Sequence, residues 1–315
     1  MSSLIVLLST RQRLAAMPVL ARGVVARWWY RGDRLPDVAS GRDAALREHF
    51  VFSGMQIPAA ALTRQQDAND AESALWLRAD PAHARADMTT ARLLAVGELG
   101  LTPEDCSALL QPLKPLFGDA GFPIDAPTPQ RWYLRCPPGT KLPKFSSPDD
   151  VLGDDLGEHL PTGNEGRRWR SLFNEAQILL HQNPLNAARE RRGQPAVNAL
   201  WFWGAGSLPD WVKSSVTQLL SDDLVARLLA TRANARVTAL DAAQWPNKTS
   251  AGDVALDLST LRDLAQLEAW FARIESALSA GVFTDAKISF ESGERVDVLR
   301  KQRWRFWRRV GVLPA

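Results

Sequence analysis

Residues 195–206 read PAVNALWFWGAG: a proline, a short polar lead-in, the apolar run Ala199-Leu200-Trp201-Phe202-Trp203, then Gly204-Ala205-Gly206. The run is short, aromatic and bounded by proline and glycine, which reads as a buried strand ending in a tight turn. In open α/β sheets ligands collect beyond such strand ends, so this stretch sets the expectation of an α/β core with a crevice beside Trp203. The two glycines lack the rest of any dinucleotide or phosphate-loop fingerprint, so a turn that needs positive φ is the plainer reading of them.

Upstream of that strand, GNEGRRWRSLFNEAQILLH places Trp169, Leu172, Phe173, Ala176 and Leu180 at helical spacing on one face. NPLNAARERRG follows, with Asn183 as cap, Pro184 at the first helical position and Gly193 as the stop. At the N-terminus, Leu4 to Leu8 reads as the first strand and Leu14 to Tyr30 as a helix interrupted near Pro18 and Gly23, a strand–helix opening typical of α/β chains. The first strand is too short, and its flanks are wrong, for a signal peptide or a membrane span. Gly41 to Phe50 reads as a helix, and the polar stretch Gln65 to Glu72 as a domain boundary.

From Ser73 the pattern changes. A strand at Ala74–Arg78, an apolar stretch at Ala91–Val96, a helix opened by Thr102-Pro103 with acids in its first turn, and a strand at QRWYLRC make a compact α+β unit. Residues 137–166 carry five prolines and five glycines and read as a long connecting loop. Beyond the aromatic strand, helices are expected around Asp210 to Leu220, Asp222 to Ala230 and Leu258 to Ala280, with a strand at Ala235 to Leu240. AKISFESGERVDVL, alternating about Ser292-Gly293, reads as a hairpin. The organisation predicted is a core of residues 1–70 and 165–315 with an inserted α+β domain over 71–164.

Composition narrows the function classes. The 315 residues are 45% hydrophobic, enough for a full core, and the net charge of +3 is too balanced for nucleic-acid or membrane binding by the whole surface. Two cysteines, Cys106 and Cys136, without metal-ligand spacing fit a reduced, cytoplasmic protein. The tail is the basic exception: Arg300 to Arg309 holds six basic residues, three aromatics and no acid. Its alternation suits a last element that buries Trp304 and Trp307 while the arginines snorkel outward, and that is the expectation adopted. The alternative is phosphate contact and base stacking on a nucleic acid.

Three candidate sites emerge. His181, Asn186 and Arg189 lie about a helix N-terminus that suits an anion. Asp80, His83, Arg85 and Asp87 follow a strand and suit a polar pocket. Asn198, Trp203, Gly204 and Gly206 border the expected crevice. Ser9 and Thr10 end the first strand with no base identifiable near them in the sequence.

HQNPLNAARERRGQPAVNALWFWGAG resembles the archaeal-type, cofactor-independent phosphoglycerate mutases through His181, Asn183, Asn186, Arg189, Pro195, Asn198, Trp201, Trp203, Gly204 and Gly206. ALWLRADPAHARAD and RWYLRC resemble that family's inserted domain more weakly. The WLRADP, PLKPLFGD, NEAQ and LWFWG runs are also similar to a proteobacterial offshoot labelled regulatory protein RpfE or simply phosphoglycerate mutase. The resemblance implies an alkaline-phosphatase-like three-layer α/β core with a smaller inserted α+β domain. It also implies two divalent metals, an aspartate closing the first strand, a phospho-accepting serine, and Asp and His ligands in the C-terminal half.

Here the first strand runs IVLLST into Arg11, and no histidine follows His181. The expectation is therefore a regulatory or ligand-binding relative with no catalytic residue, metal or cofactor. Its partner would be a small anionic ligand or a protein, with no membrane. The alternatives are a working phosphomutase or phosphatase with a rearranged site, and an adaptor acting through the basic tail.

Overall fold

The computed structural model describes residues 2–54, 56–86, 90–245 and 252–315. The chain is an α/β protein of two compact units: residues 1–53 with 210–315, and residues 54–209.

The first unit is built on a seven-stranded sheet. Strand Leu4–Leu8 is buried along its whole length and lies between two parallel neighbours, Asp253–Asp257 and Asp285–Phe290. Val216–Leu220 and Arg236–Thr238 continue the parallel set on one side. Arg295–Leu299 and Asp33–Leu35 add antiparallel strands on the other. Strands covered on both faces read as continuous apolar runs, which is the pattern of LIVLL. The helix expected over Leu14 to Tyr30 is three short helices, Arg11–Ala15, Pro18–Ala21 and Val24–Arg31, parted at Met17 and Gly23. With Leu264–Ala280 they supply Leu14, Leu20, Val25, Trp28, Leu267, Phe271 and Ile274 to the core over Leu4, Val6 and Leu8.

Three expectations change here. Residues Asp210 to Leu220 are not a helix; they hold the short strand Val212–Lys213 and the sheet strand Val216–Leu220, which buries Val216, Leu219 and Leu220 between its neighbours. Asp253–Asp257, one of the central strands, had no counterpart in the sequence reading. The last long helix starts at Leu264, where the Asp263 side chain accepts from the Gln266 amide, and not at Leu258.

The second unit carries a five-stranded sheet ordered Ala91–Val96, Leu75–Ala86, Arg131–Cys136 and Ile124–Thr128, with Ala199–Gly206 also paired to Leu75–Ala86. Helices Pro103–Asp119 and Gly163–His181 bury Leu109, Leu113, Phe117, Trp169, Leu172, Phe173, Ala176 and Leu180 against it. Thr102 and Asp105 form a reciprocal capping box at the start of the first of these.

The aromatic strand Ala199–Gly206 therefore belongs to this antiparallel sheet and not to the parallel core, as the pairing of Asp80 with Trp201 and of Pro81 with Leu200 places it. The boundaries drawn at 71 and 164 lie inside this unit. The polar stretch Gln65 to Glu72 opens as the last turns of helix Ala59–Ala68, and the residues from Gly163 to Gly206 pack on the same sheet. The proline- and glycine-rich segment also holds two single-turn helices, Pro148–Val151 and Leu156–His159.

Candidate functional site

In the second unit, the residues singled out from the sequence fall into three environments. Asn186 is buried: its amide donates to Leu180 O at 2.7 Å and Val197 O at 2.8 Å and accepts from the Val197 amide at 2.8 Å. Arg189 has no exposure, and its guanidinium donates to Pro195 O, Leu99 O and Asp105. A buried charge so held staples loop carbonyls together, and with no exposure it offers no face to an external anion. His181 is exposed beside a shallow depression of about 330 Å³ that it shares with Gln177, Ile178, Gln182 and Asn198. Asn198 clamps the backbone of Ala84, accepting from its amide at 2.8 Å and donating to its carbonyl at 2.7 Å.

Asp80, His83 and Arg85 do not lie on a loop. The strand runs on through Pro81 to Ala86, because partner strands flank it on both sides. Asp80 is 1% exposed and accepts from Arg78 at 2.7 and 2.8 Å, Trp203 Nε1 at 2.7 Å and the Trp132 amide at 3.2 Å. Burial pushes its carboxyl upward and the Arg78 charge pulls it back; four donors on two oxygens accommodate the carboxylate, not the acid. His83 Nδ1 meets Ala196 O at 2.8 Å, while Arg85 is exposed. Asp87 lies outside the described residues.

Trp203 is half-buried, its ring under the Arg78 guanidinium at 5.0 Å. Gly204 has φ +66°, and a Cβ there would lie 2.9 Å from Ala59 Cβ; at Gly206 it would lie 2.5 Å from Pro58 Cβ. These glycines admit the start of helix Ala59–Ala68. The set is thus an interlocked scaffold, apart from His181 and Arg85 at its surface.

The first unit holds a polar constellation that the sequence reading did not assemble. Its parallel strands end together at Leu8, Leu220, Asp257 and Phe290, where open α/β sheets place ligands. Arg42 reaches this edge because the Val38 amide bonds Gly293 O and the Gly41 amide bonds Glu291 O, which lays the chain along the hairpin tip. Its Nη2 lies 2.8 Å from Asp257 Oδ2 and 3.1 Å from Asp223 Oδ1, and its Nη1 lies 3.3 Å from Glu291 Oε1. Asp257 also accepts from Ser221 Oγ at 2.8 Å and from the Ser259 hydroxyl at 2.7 Å and amide at 3.2 Å. Ser259 Oγ accepts from Arg42 in turn.

The electrostatics follow from the packing. Burial alone would lower Arg42, but the carboxylates of Asp257, Asp223 and Glu291 hold it well above its ordinary value. Burial alone would raise Asp257, but Arg42 and the serine donors hold it below the usual carboxylate range. Arg42 is therefore a fixed cation and Asp257 a fixed anion. A carboxylate so depressed is a poor base for activating Ser221 or Ser259. Ser9 is buried at the end of the first strand, and Thr10 accepts from the Arg13 amide.

Two further guanidiniums border this edge. Arg262 donates to Ser259 O at 2.7 Å and Leu261 O at 3.2 Å. The Arg13 guanidinium makes no hydrogen bond or ion pair among the described residues; burial and the nearby Arg262 charge lower it, and Glu291 partly offsets them.

Two divalent metals do not fit this donor set. Asp223, Asp257 and Glu291 already face a guanidinium that does not deprotonate, and Asp223 also accepts from the Ala226 amide as a helix cap. Among the described residues no group of three His, Cys, Asp or Glu is arranged to hold a metal ion. Nor, among them, is any helix long and apolar enough to cross a membrane.

No family model matches the chain. The 2,3-bisphosphoglycerate-independent phosphoglycerate mutase of Methanosarcina barkeri is 37% identical over 62 residues, which is 20% of this chain and 16% of that enzyme. The probable enzyme of the same name from Geobacter sulfurreducens is 36% identical over 62 residues, again 20% and 16%. Among solved structures, the cofactor-independent phosphoglycerate mutase of Thermoplasma acidophilum aligns over 95% of this chain and 89% of its own at 15% identity, with a TM-score of 0.41. A Pyrococcus horikoshii protein aligns over 95% and 87% at 11% identity, with a TM-score of 0.38. The sequence matches span about one sixth of the curated relatives, and the relationship to phosphoglycerate mutases is local to that stretch.

Proposed function

We propose that this chain is a non-catalytic, regulatory or ligand-binding relative of the cofactor-independent phosphoglycerate mutases, of the kind labelled regulatory protein RpfE. In this reading it keeps an alkaline-phosphatase-like core, works in the cytoplasm, and takes a small anion such as a phosphorylated metabolite at the strand ends of its first unit. The observation that carries the reading is the Arg42 guanidinium at the centre of Asp223, Asp257 and Glu291. The Arg42, Arg13 and Arg262 guanidiniums together offset the three carboxylates, and Arg13, which makes no hydrogen bond or ion pair among the described residues, is the cation left for an anion to meet.

The test is calorimetric titration of the full chain with inorganic phosphate and with 3-phosphoglycerate, alongside elemental analysis of the untagged protein. Binding lost roughly tenfold or more in Arg13→Ala, with no stoichiometric Mn²⁺ or Zn²⁺ and no mutase turnover, is expected. About two metals per chain, or turnover of 3-phosphoglycerate after metal loading, would establish the rearranged-enzyme reading instead. Phosphate binding unchanged in Arg13→Ala would remove the site from the strand ends.

A further inference from the structure

The C-terminal segment departs from its expected burial. After the sheet strand Arg295–Leu299 the chain enters a 3-10 turn, Arg300–Trp304. It is fastened at several points: Gln302 is buried and donates to Asp33 at 2.8 Å, Arg305 pairs with Asp33, and Arg308 donates to Gly32 O at 2.8 Å. Farther on, Tyr30 donates to Val312 O at 2.9 Å, and the amide of buried Leu313 bonds Ala21 O at 2.7 Å. Between these anchors Trp304, Phe306 and Trp307 are 64%, 79% and 67% exposed. The predicted burial of Trp304 and Trp307 fails because a turn followed by irregular chain has no alternating face to turn inward.

Each ring left in water forgoes the stabilisation that burial would bring. An apolar patch held out by so many anchors marks an interaction surface. Beside it, in the same unit, a cavity of about 310 Å³ is lined by Arg27, Arg31, Arg300 and Arg303 over the buried side chains of Trp28 and Leu278. The one acid lining it, Glu275, is already paired with Arg27 at 2.7 Å. Arg31 Nε is buried without a hydrogen-bond partner, and the Arg303 guanidinium lies 4.9 Å over the Trp304 ring.

We propose that this face binds single-stranded nucleic acid, with phosphates in the arginine-lined cleft and bases on Trp304, Phe306 and Trp307. Guanidiniums bind phosphate bidentately, and aromatic rings accept any base by stacking. The concavity favours this partner over an anionic membrane. A lipid surface is met by a convex apolar tip ringed with cations, whereas here the cations line a recess and the projecting residues 304–309 include no aliphatic side chain. The proposal does not depend on the strand-end anion site.

The experiment is fluorescence anisotropy of a fluorescein-labelled single-stranded oligothymidylate titrated with the full chain over a range of salt, with vesicles of mixed phosphatidylcholine and phosphatidylserine in a parallel sedimentation assay. Binding is expected to weaken with salt, with a log–log slope of about −0.7 per phosphate neutralised. The Trp304→Ala/Trp307→Ala double variant should bind roughly tenfold or more weakly at an unchanged melting temperature, since both rings are exposed. Arg300→Glu/Arg303→Glu should bind more weakly and flatten the salt slope. No oligonucleotide binding at low salt, equal binding by the tryptophan double variant, or capture by vesicles alone would each overturn the proposal.

Discussion

Arg42 Nη2 and Asp257 Oδ2 meet at 2.8 Å across 215 positions of sequence, with Asp257 wholly buried. The pair sits where the parallel strands end, so the charge balance of that edge depends on it. Removing one partner of a buried ion pair costs about 3–5 kcal/mol, because the other charge is left uncompensated. Arg42→Met should fall in that range, exposing Asp223, Asp257 and Glu291 to one another. Asp257→Asn should cost less, about 1.5–3 kcal/mol, because Arg42 keeps Asp223 and Glu291. Urea denaturation of both variants checks the order; a loss below about 1 kcal/mol for Arg42→Met would remove the pair from the centre of the site.

His49 gives the first unit an acid-sensitive step. Burial and the Lys287 charge, with Arg295 adding to them, lower its imidazole to about 4, while Asp253 opposes. Its Nε2 is buried without a hydrogen-bond partner. The folded state therefore holds the neutral ring while the unfolded chain protonates near 6.5. Between those values the unfolded state carries more protons, so stability is full above pH 6.5 and falls as pH drops toward 4. The full step is up to about 3 kcal/mol. His49→Gln should flatten the decline in urea midpoint between pH 7 and 5, and the ring resonance should titrate near 4 in the native protein. A midpoint near 6.5 would refute the burial argument.

Cys136 is pushed up to about 12 by burial, and Cys106 is raised by burial and the nearby Asp105 charge despite the Trp132 contact. Both are free and buried. The thiolate is the reactive form, so neither should react with iodoacetamide at pH 8 in the folded protein, while both should react in urea. Rapid native labelling at Cys106 would mean that its helix opens readily.

What the sequence made legible was local. The hairpin at 286–299 announced itself by alternation about Ser292-Gly293, and Gly163–His181 by the spacing of Trp169, Leu172, Phe173, Ala176 and Leu180. Asp253–Asp257 is five residues long and buried over most of its length, and Val216–Leu220 is as short, with Thr217 exposed and Gln218 half-buried; neither carries such periodicity. Asp253–Asp257 therefore passed unnoticed, and Val216–Leu220 was expected as helix. Its only signal was a Val-Ala-Leu run between Gly252 and Asp257. Arg42, Asp223, Asp257 and Glu291 form no motif; only the sheet topology brings them together. The aromatic strand was read correctly as a strand and assigned to the wrong sheet, since local pattern does not say which partner a strand chooses.

Asn186 and Arg189 belong to the run on which the sequence was expected to resemble the mutases, yet their geometry is that of a staple. Arg189→Ala removes the donors to Pro195 O and Leu99 O and leaves Asp105 without this partner. The expected loss is about 3–5 kcal/mol of stability. Phosphate affinity measured on the fraction that remains folded should be unchanged. Reduced affinity without a lowered melting temperature would return Arg189 to a ligand role.

Trp203 separates scaffold from site most sharply in the second unit. Its indole N–H donates at 2.7 Å to Asp80, a buried carboxylate that also receives Arg78 and the Trp132 amide. Hydrogen bonds to a charged group contribute about 1.5–3 kcal/mol. Trp203→Phe keeps an aromatic ring and deletes the donor, so it should lose at least that amount in urea denaturation, with Asp80 still held by three of its four donors. A tryptophan serving a ligand crevice would behave otherwise: the phenylalanine variant would keep its stability, and the wild-type fluorescence would change when phosphate or 3-phosphoglycerate is added. The half-buried ring beneath the Arg78 guanidinium argues for the first outcome. A stability loss under about 0.5 kcal/mol together with ligand-dependent fluorescence would show that the strand end is a binding crevice after all.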